Sequence, residues 1–229
     1  SYFKAITKKN KNANKVLLYL TSYRAPWFVY KLSINKLQKM GYEVVVYDFK
    51  DSILDNDDPL FLPKFVEYLC EDINSKVINY QKNGIETFDA IGNSLGSFLL
   101  YNYATRYPLR KIALNMVSYM SLVIFTSKDK RIAKTLKSYL SQGYTLEKLQ
   151  KAWQSIDSTK SGKDVKANST LIFSALKDKY VTPESAEKVV QSIKMSPTSL
   201  TVYKNTKLGH NASTVKNAHS KELLEYFKD

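Results

Sequence analysis

The order of apolar and polar residues predicts a chain in which strands and helices alternate. Apolar runs rich in β-branched and aromatic residues, which are typical of buried strands, lie at residues 16–20, 42–49, 88–91, 111–117, 169–175 and 199–203. Helical periodicity is found at residues 27–40, after Pro59 up to residue 84, and at residues 97–104, 183–193 and 214–227. Such an alternation predicts an α/β fold, with a mostly parallel sheet covered by helices on both faces.

One interval departs from this alternation. Residues 118–168 contain two amphipathic helical patterns, which Gly143 separates, and Thr145 is placed to cap the second pattern. The length of 229 residues and the hydrophobic content of 44% fit one domain with a sizeable core. We therefore predict a single domain over residues 1–229, in which residues 118–168 form a small helical insertion.

The most informative short motif is Gly92-Asn93-Ser94-Leu95-Gly96, which lies where a predicted strand turns into a predicted helix. Random placement of the chain's glycines and serines would give roughly 0.02 such motifs. So tight a reversal brings two stretches of backbone together, which favours glycine at positions 92 and 96. In this context the pentapeptide resembles the nucleophile elbow of α/β-hydrolases. The alternative is that Ser94 is the N-cap of an ordinary turn between a strand and a helix.

A serine hydroxyl becomes an effective nucleophile only when a base removes its proton, and the chain has two histidines. His210 lies in the loop after the last predicted strand, where the α/β-hydrolases keep their catalytic base. His219 lies within the last predicted helix and is expected to be a surface residue. We therefore expect His210 to be the base.

The third member of such a site is a carboxylate that orients the imidazole and stabilises its charged form. Asp178 follows the predicted strand at 169–175 and precedes Pro183, and this segment resembles the corresponding segment of α/β-hydrolases. The order Ser94, Asp178, His210 is also the order in that family. The alternative for Asp178 is an exposed carboxylate in a turn flanked by lysines.

The resemblance to α/β-hydrolases covers nearly the whole chain from Val16 onward, and it implies a three-layer α/β/α-hydrolase fold. The antiparallel strands that open the family's sheet are expected to be reduced to residues 2–6, and residues 118–168 occupy the usual place of a lid. The implied activity is that of an esterase- or lipase-like serine hydrolase, which cleaves carboxylic ester or related acyl bonds through an acyl-enzyme. No cofactor and no metal are expected. The alternatives are a thioesterase or peptidase on the same fold, and a catalytically weak ligand-binding or receptor-like protein.

Two N–H donors are expected to stabilise the oxyanion that forms during acyl transfer. The resemblance assigns one to the backbone of Leu95, at the start of the helix after Ser94, and the other to Tyr23, in the loop after the first strand. Here the sequence departs from the family, because Thr21-Ser22 replaces the common His-Gly pair. Arg24 is an alternative donor, and it could also bind an anionic group of the substrate or pair with a surface acid.

The net charge of +14 raises the question of polyanionic partners. Only four of the 35 basic residues are arginines, and the lysines are spread along the chain. Nucleic-acid-binding surfaces usually rely on arginine and stacked aromatic residues, so we expect no nucleic-acid partner. The excess of basic residues between 128 and 166, combined with apolar helix faces, leaves two alternatives: a lid that associates weakly with anionic lipid, or a plain cap packed on the core.

The remaining features bear on protein class and compartment. Cys70, the only cysteine, lies among apolar residues of a predicted helix and is expected to pack in the core. No apolar run in the sequence reaches the roughly 18 residues of a membrane span. The first residues are basic and have no apolar segment typical of a signal peptide. These features predict a cytoplasmic protein, with a removed N-terminal leader as the alternative. The resemblance to α/β-hydrolases implies that its partner is a small ester or acyl substrate.

Overall fold

A seven-stranded sheet forms the centre of the protein in the computed structural model, which describes residues 2–157, 161–205 and 207–228 and, at positions 131 and 161, the backbone alone. The strands are β1 (Phe3–Lys8), β2 (Lys15–Leu20), β3 (Tyr42–Phe49), β4 (Thr87–Asn93), β5 (Leu109–Asn115), β6 (Ala167–Ala175) and β7 (Ser199–Asn205). Their order across the sheet is β1-β3-β2-β4-β5-β6-β7. β1 runs antiparallel to β3, and the other neighbouring pairs are parallel.

Helices cover the sheet and connect most of its strands. The α-helices are α1 (Lys31–Lys39), α2 (Phe61–Lys82), α3 (Leu95–Ala104), α4 (Met120–Thr126), α5 (Lys130–Ser141), α6 (Leu146–Ala152), α7 (Pro183–Ile193), α8 (His210–Ala218) and α9 (Lys221–Tyr226). Short 3₁₀ turns lie at Trp27–Tyr30, Asp51–Ile53 and Ser161–Asp164. None of the helices in the described ranges has both the length and the apolar character that a membrane span requires.

The sheet has an apolar core on each face, because successive residues of a strand point to opposite sides. On β2, Leu18 and Leu20 pack in the core that also contains residues of α2 and α3. Leu17 and Tyr19 pack in the other core, with residues of α1 and α9. This arrangement confirms the predicted three-layer α/β/α architecture with a mostly parallel sheet. The parallel strands end at one edge of the sheet, where their loops can place functional residues together.

The chain departs from the predicted helices in two places. The predicted helix at 27–40 starts as the 3₁₀ turn and becomes α-helical only at Lys31. The single helix predicted at 214–227 is wrong, because α8 ends at Ala218 and α9 begins at Lys221. Because α8 begins at His210, this histidine is the first residue of a helix and not part of the preceding loop. The Ser220 hydroxyl accepts a hydrogen bond from the Leu223 N–H at 3.1 Å. A side-chain oxygen that binds a free backbone N–H gives the chain an alternative to continuing the preceding helix.

The segment 118–168 contains one helix, α4, that the apolar pattern did not predict. The start of α4 is bound by a residue far along the chain. The Asp157 carboxylate accepts hydrogen bonds from the backbone N–H groups of Met120 and Ser121, each at 2.6 Å. The first N–H groups of a helix have no acceptor within the helix, so this contact stabilises α4 where no local residue does. Asp157 is buried, and burial raises its pKa to about 6.

The later helices of the same segment pack on the start of α2. Trp153, which follows α6, is fully buried, and its indole N–H donates to the carbonyl oxygen of Pro59 at 2.5 Å. The Tyr139 ring of α5 meets the Trp153 ring edge-on, with 6.2 Å between the ring centroids. Ile132 and Tyr139 of α5 and Leu149 of α6 are likewise buried, whereas Leu140 of α5 is 52% exposed. Most of the apolar side chains predicted for these two helices therefore pack into the protein.

Candidate active site

Ser94 occupies a single-residue junction between a strand and a helix. β4 ends at Asn93 and α3 begins at Leu95, so Ser94 alone makes the turn. Its φ is 52°, a value that residues with a side chain rarely adopt. The Ser94 N–H donates to the carbonyl oxygen of Asn115 on β5 at 2.8 Å, which holds this conformation in place. The hydroxyl is thereby presented at the edge where the parallel strands end.

The two glycines of the motif are required because backbone lies against each of them. A Cβ at position 92 would lie 2.5 Å from the carbonyl oxygen of Gly96, and a Cβ at position 96 would lie 2.4 Å from the carbonyl oxygen of Leu20. Neither distance is compatible with a side chain, and a backbone atom cannot rotate away as a flexible side chain can. The spacing of the glycines around Ser94 is therefore a packing requirement of the turn from β4 into α3.

The structure brings together the three residues that the sequence nominated. The Ser94 hydroxyl oxygen lies 2.7 Å from Nε2 of His210, and Nδ1 of His210 lies 2.5 Å from Oδ2 of Asp178. The carboxylate is fully buried, and the imidazole is 8% exposed. The other carboxylate oxygen, Oδ1, accepts hydrogen bonds from the N–H groups of Tyr180 and Val181, at 2.8 and 2.9 Å. Asp178 is thus held from both sides and is not an exposed turn residue.

This geometry determines which imidazole nitrogen carries the proton. An ionised carboxylate can only accept hydrogen bonds, so Nδ1 of His210 donates to Asp178. In the neutral ring Nε2 then has its lone pair directed at the Ser94 hydroxyl. The arrangement can remove a proton from Ser94 and stabilise the positive charge that the ring acquires.

Tyr180 is a further residue of the site that the sequence did not reveal. Its ring lies against the imidazole of His210, with 4.9 Å between the centroids and a tilt of 46°. Its hydroxyl donates to Oδ2 of Asp129, which precedes α5, at 3.0 Å. Tyr180 therefore links the loop that carries Asp178 to the segment 118–168. A tyrosine in a loop has no local sequence signal for such a role.

The two predicted oxyanion donors, Leu95 and Tyr23, line the same cavity as Ser94, and their role stays a prediction. The Leu95 N–H is the first of α3 and has no acceptor within the helix. Tyr23 lines the cavity beside Ser94, and its hydroxyl donates to Asp55 at 2.7 Å. The pKa of this phenol is raised, mainly by partial burial and to a smaller extent by the contact with Asp55. Arg24 forms ion pairs with the exposed carboxylates of Asp51 and Asp55, at 2.9 and 3.0 Å, as an ordinary surface arginine would.

A cavity of about 390 Å³ opens beside Ser94 and His210. Its size is typical of sites for small molecules. Most of its wall is apolar. The wall comes from residues between 22 and 30, from α3 and α8, from the residues after β5 and β6, and from the segment 118–168. The apolar lining includes Phe98, Met116, Met120, Val123, Ile132 and Val181. An apolar group attached to a carbonyl carbon at Ser94 would therefore be shielded from water.

Backbone strain within the described residues is concentrated around this cavity. Arg24, Ser94 and Met116 are the non-glycine residues with positive φ in that part of the chain, at 58°, 52° and 66°. All three line the cavity. Conformations of this kind cost free energy and tend to cluster at functional sites. The strain thus identifies the same location as the contacts among Ser94, His210 and Asp178.

Two other predictions concern residues outside the cavity. His219 is half-buried and its Nε2–H donates to the carbonyl oxygen of Val29 at 3.1 Å, so the expectation of a plain surface residue is wrong. Cys70 lies on α2 and is buried in the core of the protein, as predicted, and burial raises the pKa of its thiol to about 12. Among the residues that the structure describes, no cluster of histidine, cysteine and acidic side chains is arranged to hold a metal ion.

Neither a protein-family model nor a curated protein matches the sequence of this chain. Solved structures match its fold. An acylaminoacyl peptidase from Pyrococcus horikoshii superposes on 97% of this chain with a TM-score of 0.69 and 13% identity. Est1E from Butyrivibrio proteoclasticus covers 97% of the chain with a TM-score of 0.63 and 13% identity. The α/β hydrolase MGS-MChE2, from the metagenome of Moroccan lagoon sediments, covers 97% with a TM-score of 0.59 and 20% identity.

These structures differ in how much of their own length is matched. The chain spans 38% of the peptidase, but 90% of Est1E and 91% of MGS-MChE2. Together with the sheet order and the turn at Ser94, the similarity shows that this protein has the α/β-hydrolase fold. The fold that the sequence motifs predicted is confirmed.

Proposed function

We propose that this protein is a serine hydrolase that cleaves carboxylic ester or related acyl bonds. The observation that carries the proposal is the pair of contacts that joins Ser94 to His210 and His210 to Asp178, at 2.7 and 2.5 Å. A serine at an ordinary turn between a strand and a helix has no reason to meet a buried imidazole that is itself bound to a buried carboxylate. The apolar cavity beside Ser94 supports a substrate with an apolar group next to its carbonyl.

In the proposed reaction Ser94 Oγ attacks the carbonyl carbon while Nε2 of His210 accepts the hydroxyl proton. The N–H groups of Leu95 and Tyr23 would bind the oxyanion of the tetrahedral intermediate. His210 then donates its proton to the leaving alcohol, and an acyl-enzyme remains on Ser94. A water molecule that His210 deprotonates attacks this ester, releases the acid and regenerates the serine. Asp178 stabilises the charged imidazole throughout.

The segment 118–168 is proposed to act as a cap that selects the substrate. Met120, Val123 and Ile132 of this segment line the cavity. Lysines 128, 130, 134, 137, 148 and 151 are exposed on the same segment, which supports the expectation of weak attraction to anionic lipid.

A peptidase is the second candidate, because one structure that superposes on nearly the whole chain is described as an acylaminoacyl peptidase. The same three residues would serve either reaction, since both proceed through acyl transfer to serine. Hydrolysis of acylated aminoacyl anilides, measured beside p-nitrophenyl esters, would distinguish the two candidates.

The test is the Ser94→Ala variant. We expect its turnover of p-nitrophenyl acetate and butyrate to fall by at least ~10³, because the nucleophile and the proton that His210 accepts are both removed. A fluorophosphonate probe should label the wild type and leave Ser94→Ala unlabelled. Ser75→Ala is the matched control, because Ser75 is exposed on α2 and lies outside the cavity lining.

Two results would contradict the proposal. Near-normal hydrolysis by Ser94→Ala would show that another group carries the reaction. A wild type that is neither active nor labelled, but whose melting temperature an ester analogue still raises, would favour a ligand-binding protein with this fold.

A further inference from the structure

Asn115, the last residue of β5, connects the turn that carries Ser94 to the helix that begins with His210. It is 2% exposed, and the reaction proposed above gives it no part. Its side chain lies between the turn that carries Ser94 and the helix α8 that begins at His210. The sequence shows it only as a polar residue at the end of an apolar strand.

Both N–H groups of the Asn115 amide and its carbonyl oxygen have hydrogen-bond partners. Its Nδ2 group donates to Oδ1 of Asn93 at 2.9 Å and to the carbonyl oxygen of Thr214 at 2.8 Å. Its Oδ1 accepts from Nδ2 of Asn217 at 3.1 Å. Reversing the amide would place an oxygen against two acceptors, so the orientation is fixed. A buried polar group that is fully satisfied in this way rigidifies its surroundings.

The backbone of Asn115 holds the nucleophile turn by a separate set of bonds. Its carbonyl oxygen accepts the Ser94 N–H at 2.8 Å and the Ser97 hydroxyl at 2.8 Å. Thr214, on the other side, donates its hydroxyl to the carbonyl oxygen of His210 at 2.8 Å. A continuous set of buried bonds therefore runs from the turn at Ser94, through Asn115, to the first turn of α8.

We propose that Asn115 is a positioning residue, which sets the separation of Ser94 and His210 by fixing α8 against the nucleophile turn. The inference rests on the proposed function, because the 2.7 Å contact matters only if His210 takes a proton from Ser94. Removing the amide leaves the Ser94 N–H bond intact, since that bond uses the backbone. It releases α8 and leaves the buried polar groups of Asn93, Thr214 and Asn217 without their partner.

The test is Asn115→Ala, with Asn102→Ala as the matched control. Asn102 is also 2% exposed, but its Nδ2 group donates to the carbonyl oxygen of Phe98 within α3, away from α8. For Asn115→Ala we expect kcat for p-nitrophenyl acetate to fall by about 10-fold to 10²-fold with KM unchanged, the scale for a displacement of about 1 Å at reacting atoms. Asn102→Ala should lose thermal stability but keep the wild-type kcat.

A second measurement separates positioning from simple loss of structure. In the His210→Ala background the Ser94–His210 separation no longer matters, so adding Asn115→Ala should lower the residual activity no further. Asn217→Ala, which removes one outer bond of the set, should lower kcat several-fold, and it replaces Asn115→Ala if that variant does not fold.

The outcomes distinguish this inference from the function on which it rests. Equal losses in the wild-type and His210→Ala backgrounds, or an unchanged kcat in both the Asn115 and Asn217 variants, would overturn the positioning role while Ser94-dependent hydrolysis stands. Absence of Ser94-dependent hydrolysis in the wild type would instead overturn the proposed function.

Discussion

Replacement of Gly96 by alanine tests whether the turn at Ser94 depends on close backbone contact. The new Cβ would lie 2.4 Å from the carbonyl oxygen of Leu20 and 2.5 Å from that of Thr21. Ordinary contact begins at 3.4 Å, so the start of α3 and the end of β2 must move apart by about 1 Å. The chain after β2 leads directly to Tyr23, and α3 begins with Leu95. The movement would therefore separate the two proposed oxyanion donors.

The expected loss follows from the size of that movement. A displacement of about 1 Å at reacting groups costs about 10²-fold in rate, and loss of one oxyanion donor costs about 10²-fold to 10³-fold. We therefore expect kcat for p-nitrophenyl acetate to fall at least 10²-fold in Gly96→Ala. Rates of fluorophosphonate labelling should fall in parallel, because both reactions need the same attack by Ser94.

The matched control is Gly84→Ala. Gly84 follows α2, has a φ of +85° and has no atom within 4 Å of the position of a Cβ. Alanine there costs about 1–2 kcal/mol of backbone strain without moving any neighbour. Gly84→Ala should thus lower the melting temperature while leaving kcat unchanged. If Gly96→Ala kept more than a tenth of the wild-type kcat, or if the two variants lost activity equally, the reasoning from backbone contact would be refuted.

Two further predictions concern buried carboxylates. Asp178→Asn should lower kcat by about 10³-fold to 10⁴-fold with little change in KM, because an amide no longer fixes the imidazole tautomer. A loss smaller than 10-fold in ester hydrolysis would argue against the role of Asp178 in orienting His210. Burial raises the pKa of Asp157 to about 6. As the pH rises from 4 to 6, the unfolded chain therefore loses a proton that the folded state still keeps. The unfolding free energy of the wild type, relative to Asp157→Asn, should therefore fall by about 2 kcal/mol between pH 4 and pH 6. Denaturant titration measures this difference, and parallel pH profiles would contradict it.

The sequence predicted those parts of the fold that depend on local pattern. The glycines at 92 and 96 and the apolar runs on either side identify the turn at Ser94, because close backbone contact and strand periodicity both leave a mark on neighbouring residues. The three proposed catalytic residues were found by combining this motif with a family order. Helix α7 was predicted with the correct start, since Thr182 and Pro183 form a strong helix start.

The features that the sequence did not reveal depend on partners far away along the chain. The start of α4 depends on Asp157, which lies 36 and 37 residues after the N–H groups that it binds. Asn115 meets Thr214 and Asn217 at separations of 99 and 102 residues. No periodicity encodes such pairs, so they could be found only once the sheet had placed its strand ends together. The break before α9 did have a local signal, the capping serine at position 220.

The strained backbone at Arg24, Ser94 and Met116 has a consequence for how this protein can be engineered. Each of these positions is held in a conformation that costs about 1–3 kcal/mol for a residue with a side chain, and the packed sheet and helices around the cavity must offset that cost. Selection for heat resistance alone would favour glycine or local relaxation at these positions, because relief of strain is an accessible route to a higher melting temperature. Variants obtained in that way would keep the fold and lose the alignment of the cavity wall with Ser94, so screens for thermostability should measure hydrolysis in parallel.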